Sequence, residues 1–252
     1  RIDGKVLARY VCRPLRICRT LARKSRLDPL PRKMAGNSPH TIAVVGLGEV
    51  GESFARAIQT AGVRLRAASR DSERSRAAAA RLGLPLATDL AAAVGAADFV
   101  LLTVTGKTLH AAVEALAPGL RPGAIVADFT AGAPDDVRAA AQLLPDGAAS
   151  FVDGAIMGSV TLYGARTPVL VSGEAAERLA EVLNGIGFNL RAMPQSRIGD
   201  ASTVKLLRSV FAKGLEGLVI ESVLAAEALG LREEFDQQLR YYDSSPMLEH
   251  VD

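Results

Sequence analysis

Aromatic residues are scarce in this chain, at 4%, and tryptophan is absent. The interior must therefore be filled by Ala, Val, Leu and Ile, which suits helices packed on a parallel sheet better than an aromatic-rich β-sandwich. Cysteine is nearly absent as well. Cys12 and Cys18 are the only two, both in the N-terminal stretch, so no disulfide framework holds the main body, and a reducing, cytoplasmic setting is expected. The three histidines, His40, His110 and His250, are far apart, and with no CxxC or Cys/His cluster no metal site is expected. No apolar run approaches the roughly 20 residues that would span a bilayer.

What charge there is lies unevenly. Residues 1–40 hold eleven Lys/Arg against two Asp, a net of +9 within a whole-chain net of +3, so residues 41–252 carry −6. The sequence pI near 9.0 thus belongs to the arm, and it is no argument that the body binds nucleic acid or a membrane surface. Arg9, Arg13, Arg16, Arg19 and Arg23 recur at helical spacing, but Pro14 interrupts them. The arm reads as a transit peptide, as a contact tail, or as an unstructured extension. The last is adopted, and residues 1–40 are set aside from the fold.

The body opens on Thr41-Ile-Ala-Val-Val45, a short run typical of a strand buried on both faces. It runs directly into Gly46-Leu47-Gly48-Glu49-Val50-Gly51. An amphipathic helix follows, with Phe54, Ala55, Ile58 and Ala61 at helical spacing and Gly62 at its end. Val63, Leu65 and Ala67 then alternate with Arg64 and Arg66 as a second strand. A GxGxxG motif alone is weak; placed between a strand and a helix, with another strand within about thirty residues, it is the dinucleotide fingerprint. Gly46 permits the tight turn, Gly48 lets a pyrophosphate approach, and Gly51 lets the helix pack on the strand. The helix N-terminus offers free N–H groups to the phosphates. The second strand ends Ser69-Arg70-Asp71. Where an NAD site carries an acidic residue for the ribose 2′-hydroxyl, Arg70 offers a cation and Ser69 a hydroxyl for a 2′-phosphate, so NADP(H) is expected over NAD(H).

Strand and helix patterns continue to alternate as far as about Met193, which predicts a doubly wound α/β sheet. Asp128 and Asp153 fall at the expected carboxyl edge, where each reads either as part of a ligand site or as a cap for a turn or helix. From Ile198 to Leu229 there is no proline, and Leu207, Phe211, Leu215, Leu218, Ser222, Ala225 and Leu229 form a stripe at three- and four-residue steps. One helix of about thirty residues is expected, stopped by Gly230, with a shorter helix over Glu233–Tyr241. Ser202, Lys205, Arg208 and Ser209 share one face of the long helix. On spacing alone Lys205 reads as a surface lysine.

The order of these motifs resembles the β-hydroxyacid dehydrogenase family, which includes 3-hydroxyisobutyrate dehydrogenase and, more distantly, the 6-phosphogluconate dehydrogenases. The resemblance covers residues 41–242. The family's glycine turn matches Ile42–Gly51. Its Asp-x-Ser-Thr loop beside the nicotinamide matches Asp128-Phe-Thr130-Ala131, and its Asp-Ala-Pro-Val-Ser-Gly-Gly substrate loop corresponds to Asp153-Gly-Ala-Ile-Met157-Gly158-Ser159. Its catalytic segment, Gly-x-Gly followed by Lys, matches Gly199-Asp-Ala-Ser202-Thr-Val-Lys205.

The resemblance implies a Rossmann domain over 41–194. It also implies a linking helix and partial helical domain over 195–252, shorter than in the family, with a homodimer where that domain is complete. Lys205 becomes the general acid/base, with Gly46 to Gly51, Ser69, Arg70 and Thr130 on the cofactor. Met157, Gly158, Ser202, Arg208 and Ser209 fall on a small polar substrate. Met157 replaces the family's loop serine, and Arg208 and Ser209 replace asparagines after the lysine. The expected activity is NADP-dependent hydride transfer at a secondary alcohol or its carbonyl. Imine reduction and a non-catalytic cofactor-binding fragment are the alternatives. The imine-reducing relatives usually lack the lysine.

Overall fold

The computed structural model describes residues Pro39 to Asp243, so the basic arm before Pro39 lies outside the described residues. Up to Ser209 these residues form one compact unit, and from Val210 onward they form a second.

The first unit is a single sheet with helices on both faces. Strands β1 (Thr41–Val45), β2 (Arg64–Ala68), β3 (Leu86–Ala87), β4 (Phe99–Leu102), β5 (Ala124–Asp128), β6 (Ala149–Ile156), β7 (Val169–Ser172) and β8 (Leu190–Ala192) lie in the order β3-β2-β1-β4-β5-β6-β7-β8. Between them run helices α1 (Glu49–Thr60), α2 (Glu73–Leu82), α3 (Leu90–Val94), α4 (Leu109–Leu116), α5 (Pro134–Ala141), α6 (Val160–Tyr163) and α7 (Ala176–Gly185). The doubly wound expectation is met.

Alternation along each strand explains the two cores. Ile42 and Val44 of β1 face Phe54 and Ile58 of α1, together with Phe99 and Leu101 of β4. Ala43 and Val45 face the other way, into the layer of Leu109, Val113 and Leu116 of α4 and Val137 of α5. Each fully buried Phe, Leu or Ile contributes about 1.5–3 kcal/mol. Phe54 meets the rings of Phe129 and Phe188 edge-on, and His40 lies edge-on to Phe99.

The structure departs from regular alternation at one place. β6 and β7 pair antiparallel, whereas every other pair in the sheet is parallel. A parallel crossover takes a dozen or more residues and usually a full helix. The connection Met157–Pro168 is at the lower limit of that length and holds the one-turn α6 and a 3-10 turn over Gly164–Arg166 in place of a full crossover helix, so the chain folds back beside the strand it has left. Three short elements go beyond the expected ones: α6 after β6, and β3 and α3 in the alanine-rich stretch 86–94, where alternation and helical periodicity look alike.

The long helix is α8 (Asp200–Ala228), 29 residues, followed by α9 (Arg232–Asp243). Gly230 sits between them at φ 70. The apolar stripe on α8 is largely exposed, with Phe211 57% and Leu218 65% accessible. No helix among the described residues is long and apolar enough to cross a membrane.

Candidate active site

β1 and β4 are neighbours whose connections leave in opposite directions, which makes the crevice beyond their carboxyl ends the ligand position of this sheet type. Gly46 follows β1 directly at φ 98, in the left-handed region. A Cβ on Gly51 would lie 1.8 Å from the Gly46 carbonyl oxygen and 2.6 Å from Thr103 Oγ1. The turn is pinned from β4 by Thr103, whose hydroxyl donates to the Gly46 carbonyl at 2.7 Å. Thr103 escaped the sequence reading because a threonine after a buried strand carries no signal of its own.

Gly48 is different. A Cβ there would meet nothing within 4 Å, and its φ is −77, so neither packing nor backbone conformation requires glycine. Gly48 is the N-cap of α1 and offers no side-chain cap, leaving the first-turn N–H groups for a ligand. An incoming pyrophosphate is what would need that space, and the residues fit a dinucleotide. Leu47 is buried under the turn and Val50 half-buried. Glu49 is exposed, and its carboxylate accepts a hydrogen bond from Thr161 of α6.

At the end of β2 the Ser69 N–H donates to the Ala87 carbonyl, and Arg70 is exposed. The Arg70 carbonyl accepts from Ser75 Oγ at 2.6 Å, while Ser72 and Ser75 cap α2 reciprocally. The Arg70 main chain is thereby tied down while its side chain stays in solvent. Asp71 pairs with Arg76.

The catalytic candidates meet at the carboxyl edge of β5 and β6. Asp128 and Asp153 are paired in register across the two strands, and each is 1% exposed. Asp153 also pairs in register with Ser172 of β7. Its carboxylate accepts from the Ser202 N–H at 2.9 Å, the Ser202 hydroxyl at 2.7 Å and the Ser172 hydroxyl at 3.3 Å. The Ala201 N–H donates to Ser172 Oγ at 3.0 Å. The first turn of α8 is thus capped by strand residues some fifty and thirty positions earlier in the chain. Ser202, expected on the substrate, has its hydroxyl turned inward to Asp153.

Asp128 has fewer partners. Oδ1 accepts from the Thr130 N–H at 2.8 Å and Oδ2 from the Thr130 hydroxyl at 3.2 Å. Thr130 is itself buried, with its hydroxyl committed to this turn. Burial raises the Asp128 pKa to about 7. The Thr130 bonds oppose that rise, Asp153 adds to it and the charge on Lys205 opposes it.

Lys205 stands three residues beyond Ser202 on α8, and it is held below the ordinary lysine range by burial and then by the Arg208 guanidinium, against the pull of Asp153 and Asp128. Arg208 is exposed and donates to the Met157 carbonyl at 2.8 Å, joining two residues assigned to substrate from sequence. Gly158 is exposed beside Met157. The Ser209 hydroxyl donates back to the Lys205 carbonyl at 2.8 Å. His110, given no role, is exposed and contacts the Asp136 carbonyl.

The buried Asp128 makes a pH prediction. Its folded pKa, about 7, lies above the ordinary 3.8, so its stabilising contribution is complete below pH 4 and is lost as pH rises through 7. Asp128→Asn cannot ionise. In paired thermal melts from pH 4 to 8.5 the wild type is therefore expected to lose stability relative to the variant, by on the order of a few kcal/mol, mostly before pH 8. A difference constant across that range would show that Asp128 does not titrate there.

A sheet of this order and a glycine turn open to a pyrophosphate define a dinucleotide-binding domain of the kind found in nicotinamide-dependent oxidoreductases. Residues 41–193 match the NAD binding domain of 6-phosphogluconate dehydrogenase, and the chain belongs to that family. A conserved hypothetical protein from Sinorhizobium meliloti 1021 is 34% identical in sequence, with TM-score 0.71 over 82% of this chain and 71% of that one. The Mycobacterium tuberculosis 3-hydroxyisobutyrate dehydrogenase, solved with L-serine, has TM-score 0.69 at 22% identity, over 76% of this chain and 66% of that one. An imine reductase variant from Myxococcus stipitatus, in complex with NAD+, has TM-score 0.70 at 23% identity, over 81% of this chain and 72% of that one. At these identities the last two are likenesses of fold.

Proposed function

We propose that the protein is an NADP-dependent oxidoreductase that transfers hydride between nicotinamide and a secondary alcohol, or its carbonyl, on a small polar hydroxyacid-like substrate. The observation that carries this reading is Lys205, a half-buried lysine on the first turns of α8 beside Arg208. A lysine with lowered pKa is suited to proton transfer near neutral pH. Bound nicotinamide would supply or accept the hydride. Lys205 Nζ takes the hydroxyl proton in oxidation and returns one to the carbonyl oxygen in reduction. Arg208, fixed to the Met157 carbonyl, has donors left for a substrate carboxylate. Gly46, Gly48 and Gly51 with the α1 N-terminus hold the pyrophosphate, and Thr130 lies in the loop toward the nicotinamide. Arg70 faces the 2′-phosphate, which is the basis for NADP(H) over NAD(H).

For the domain division the same reading assigns residues 41–194 to the cofactor and 195–252 to the lysine and the helical part, although the compact unit that contains the sheet continues to Ser209 and so includes Lys205. Exposed Phe211 and Leu218 on α8 support self-association into a homodimer.

The test has two parts. Titration of intrinsic NADPH and NADH fluorescence against the protein is expected to favour NADPH by about tenfold or more, with the preference lost in Arg70→Ala. Equal affinities unchanged by that substitution would remove the 2′-phosphate argument. A screen of hydroxyacids, their oxo forms and cyclic imines is expected to give turnover on the first two, reduced by about 100-fold or more in Lys205→Ala with cofactor affinity kept. Turnover indifferent to Lys205→Ala would overturn the assigned chemistry. Turnover confined to imines would move the protein to the imine-reducing reading.

A further inference from the structure

The first turn of α1 sets a problem for any pyrophosphate that binds there. The ligand brings negative charge to a helix start that already carries two carboxylates, Glu49 and Glu52. Acids in a first turn are drawn to the same partial positive charge that attracts a phosphate. Both are held elsewhere. Glu52 accepts from Arg81 at 2.9 and 2.6 Å and from Arg56 at 3.1 Å. The Arg81 bond above all holds its carboxyl below the usual carboxylate range. Glu49 pairs with no cation among the described residues. Its carboxylate accepts from the Thr161 hydroxyl on α6, 112 positions later. The segment that carries Thr161 is seated firmly on α1. Gly164, at φ 57, comes so near that an added Cβ would lie 3.5 Å from Ser53 Oγ. Ala165 is buried in the same cluster as Phe54 and Ala55. Thr167 is fully buried and donates to the Ser159 and Gly164 carbonyls at 3.1 and 2.8 Å, which fastens the turn from within.

We propose that Thr161 is a positioning residue of the cofactor site: its hydroxyl holds the Glu49 carboxylate against α6 and so keeps the N–H groups at the start of α1 open to a pyrophosphate. This rests on the pyrophosphate binding at the Gly48 turn. Thr161 acts through Glu49 and touches no cofactor atom. Glu52 needs no such help, because two guanidinium groups already match its charge. Glu49 has only a neutral hydroxyl, which sets where its charge sits without cancelling it. Remove that hydroxyl and the Glu49 carboxylate becomes a mobile anion one residue from the N-cap, Gly48. It then competes with the ligand for the same N–H groups and repels the ligand's charge as well. The x position of the glycine motif thus carries a cost to cofactor binding, and a residue from the far side of the sheet offsets it.

The test needs no substrate. NADPH is titrated by fluorescence against the full-length protein and against Thr161→Val, Thr161→Ser, Glu49→Gln and the double variant Glu49→Gln/Thr161→Val, at about 50 mM salt. Thr161→Val is expected to weaken NADPH by about fivefold. Thr161→Ser keeps the hydroxyl and is expected to bind as the wild type does. Glu49→Gln removes the charge and is expected to tighten binding, and adding Thr161→Val to it is expected to change nothing further. Because both side chains are exposed, the Thr161→Val defect is expected to shrink at about 0.5 M salt, where a packing defect would persist. Thr161→Val binding NADPH like the wild type would overturn the proposal. So would an equal loss from Thr161→Val with and without the Glu49 charge, since Thr161 would then act through packing alone. Should Thr161→Val fail to fold, Thr161→Ala takes its place under the same expectations. Gly48→Ala, run alongside, separates this result from the reading beneath it. If Gly48→Ala weakens NADPH and Thr161→Val does not, the pyrophosphate keeps its place and only the role of Thr161 falls. If neither weakens it, both fall.

Discussion

Gly51→Ala is expected to abolish measurable binding of either nicotinamide cofactor and to lower stability by about 3 kcal/mol or more. The added methyl would sit 1.8 Å from a backbone oxygen, that of Gly46, and 2.6 Å from Thr103 Oγ1. A backbone carbonyl cannot rotate away, so α1 must move off the turn. That movement breaks the seating of Phe54 and Ile58, both fully buried. Gly48→Ala is the informative companion. Its methyl meets no protein atom within 4 Å, so its melting temperature is expected to match the wild type while cofactor affinity falls. Thermal melts with fluorescence titration of NADPH separate the two. A Gly48→Ala variant that binds NADPH normally would remove the pyrophosphate from this turn, and a Gly51→Ala variant of wild-type stability would show that the turn yields.

The second large effect is expected from Asp153→Ala. The substitution leaves the Ser202 N–H, the Ser202 hydroxyl and the Ser172 hydroxyl without their acceptor, in a place where Asp153 and Ser172 are at most 1% exposed and Ser202 is 8% exposed. Orphaned buried donors at a helix start make a loss of about 3–5 kcal/mol the expected scale. Asp153→Asn, which keeps one acceptor oxygen, should lose less. Hydrogen exchange gives the local signature: amides of the first turn of α8, Ala201 and Ser202 among them, lose protection before those of β1 and β4. Unchanged protection there, with a melting temperature near that of the wild type, would mean that other contacts hold the helix.

Much of the first half was legible because local pattern and tertiary role coincide. The β1 run, the glycine turn and the period of α1 are contiguous in sequence, and each is specified by short-range sterics. Lys205, Arg208 and Ser209 were legible as a face of one helix for the same reason. The reversal of β7 was not, since a strand has the same alternation whichever way it runs, and only the short connection Met157–Pro168 betrays it. The partner of Ser202 was equally hidden. Its position three residues before Lys205 suggested a group facing the substrate, whereas its hydroxyl answers to Asp153, 49 residues earlier. The split between Asp128 and Asp153 depends on cross-strand register, which no single-strand pattern records.

That reversal has one more consequence. The segment Met157–Pro168 leaves β6 and re-enters the sheet at β7, the strand beside it, and its base is closed by a hydrogen bond from the Met157 N–H to the Pro168 carbonyl at 2.8 Å. Its two ends are stapled together by the ladder, independent of what lies between them. The loop behaves as a cassette. Within it Thr161 donates to Glu49 beside the cofactor turn, and the Met157 carbonyl accepts from Arg208 on α8, so changes that spare those contacts and the buried Val160 and Ala165 leave every strand in register. On the proposed function, in which Met157 and Gly158 face the substrate, a lineage built on this sheet can explore new substrates by rewriting a few loop residues.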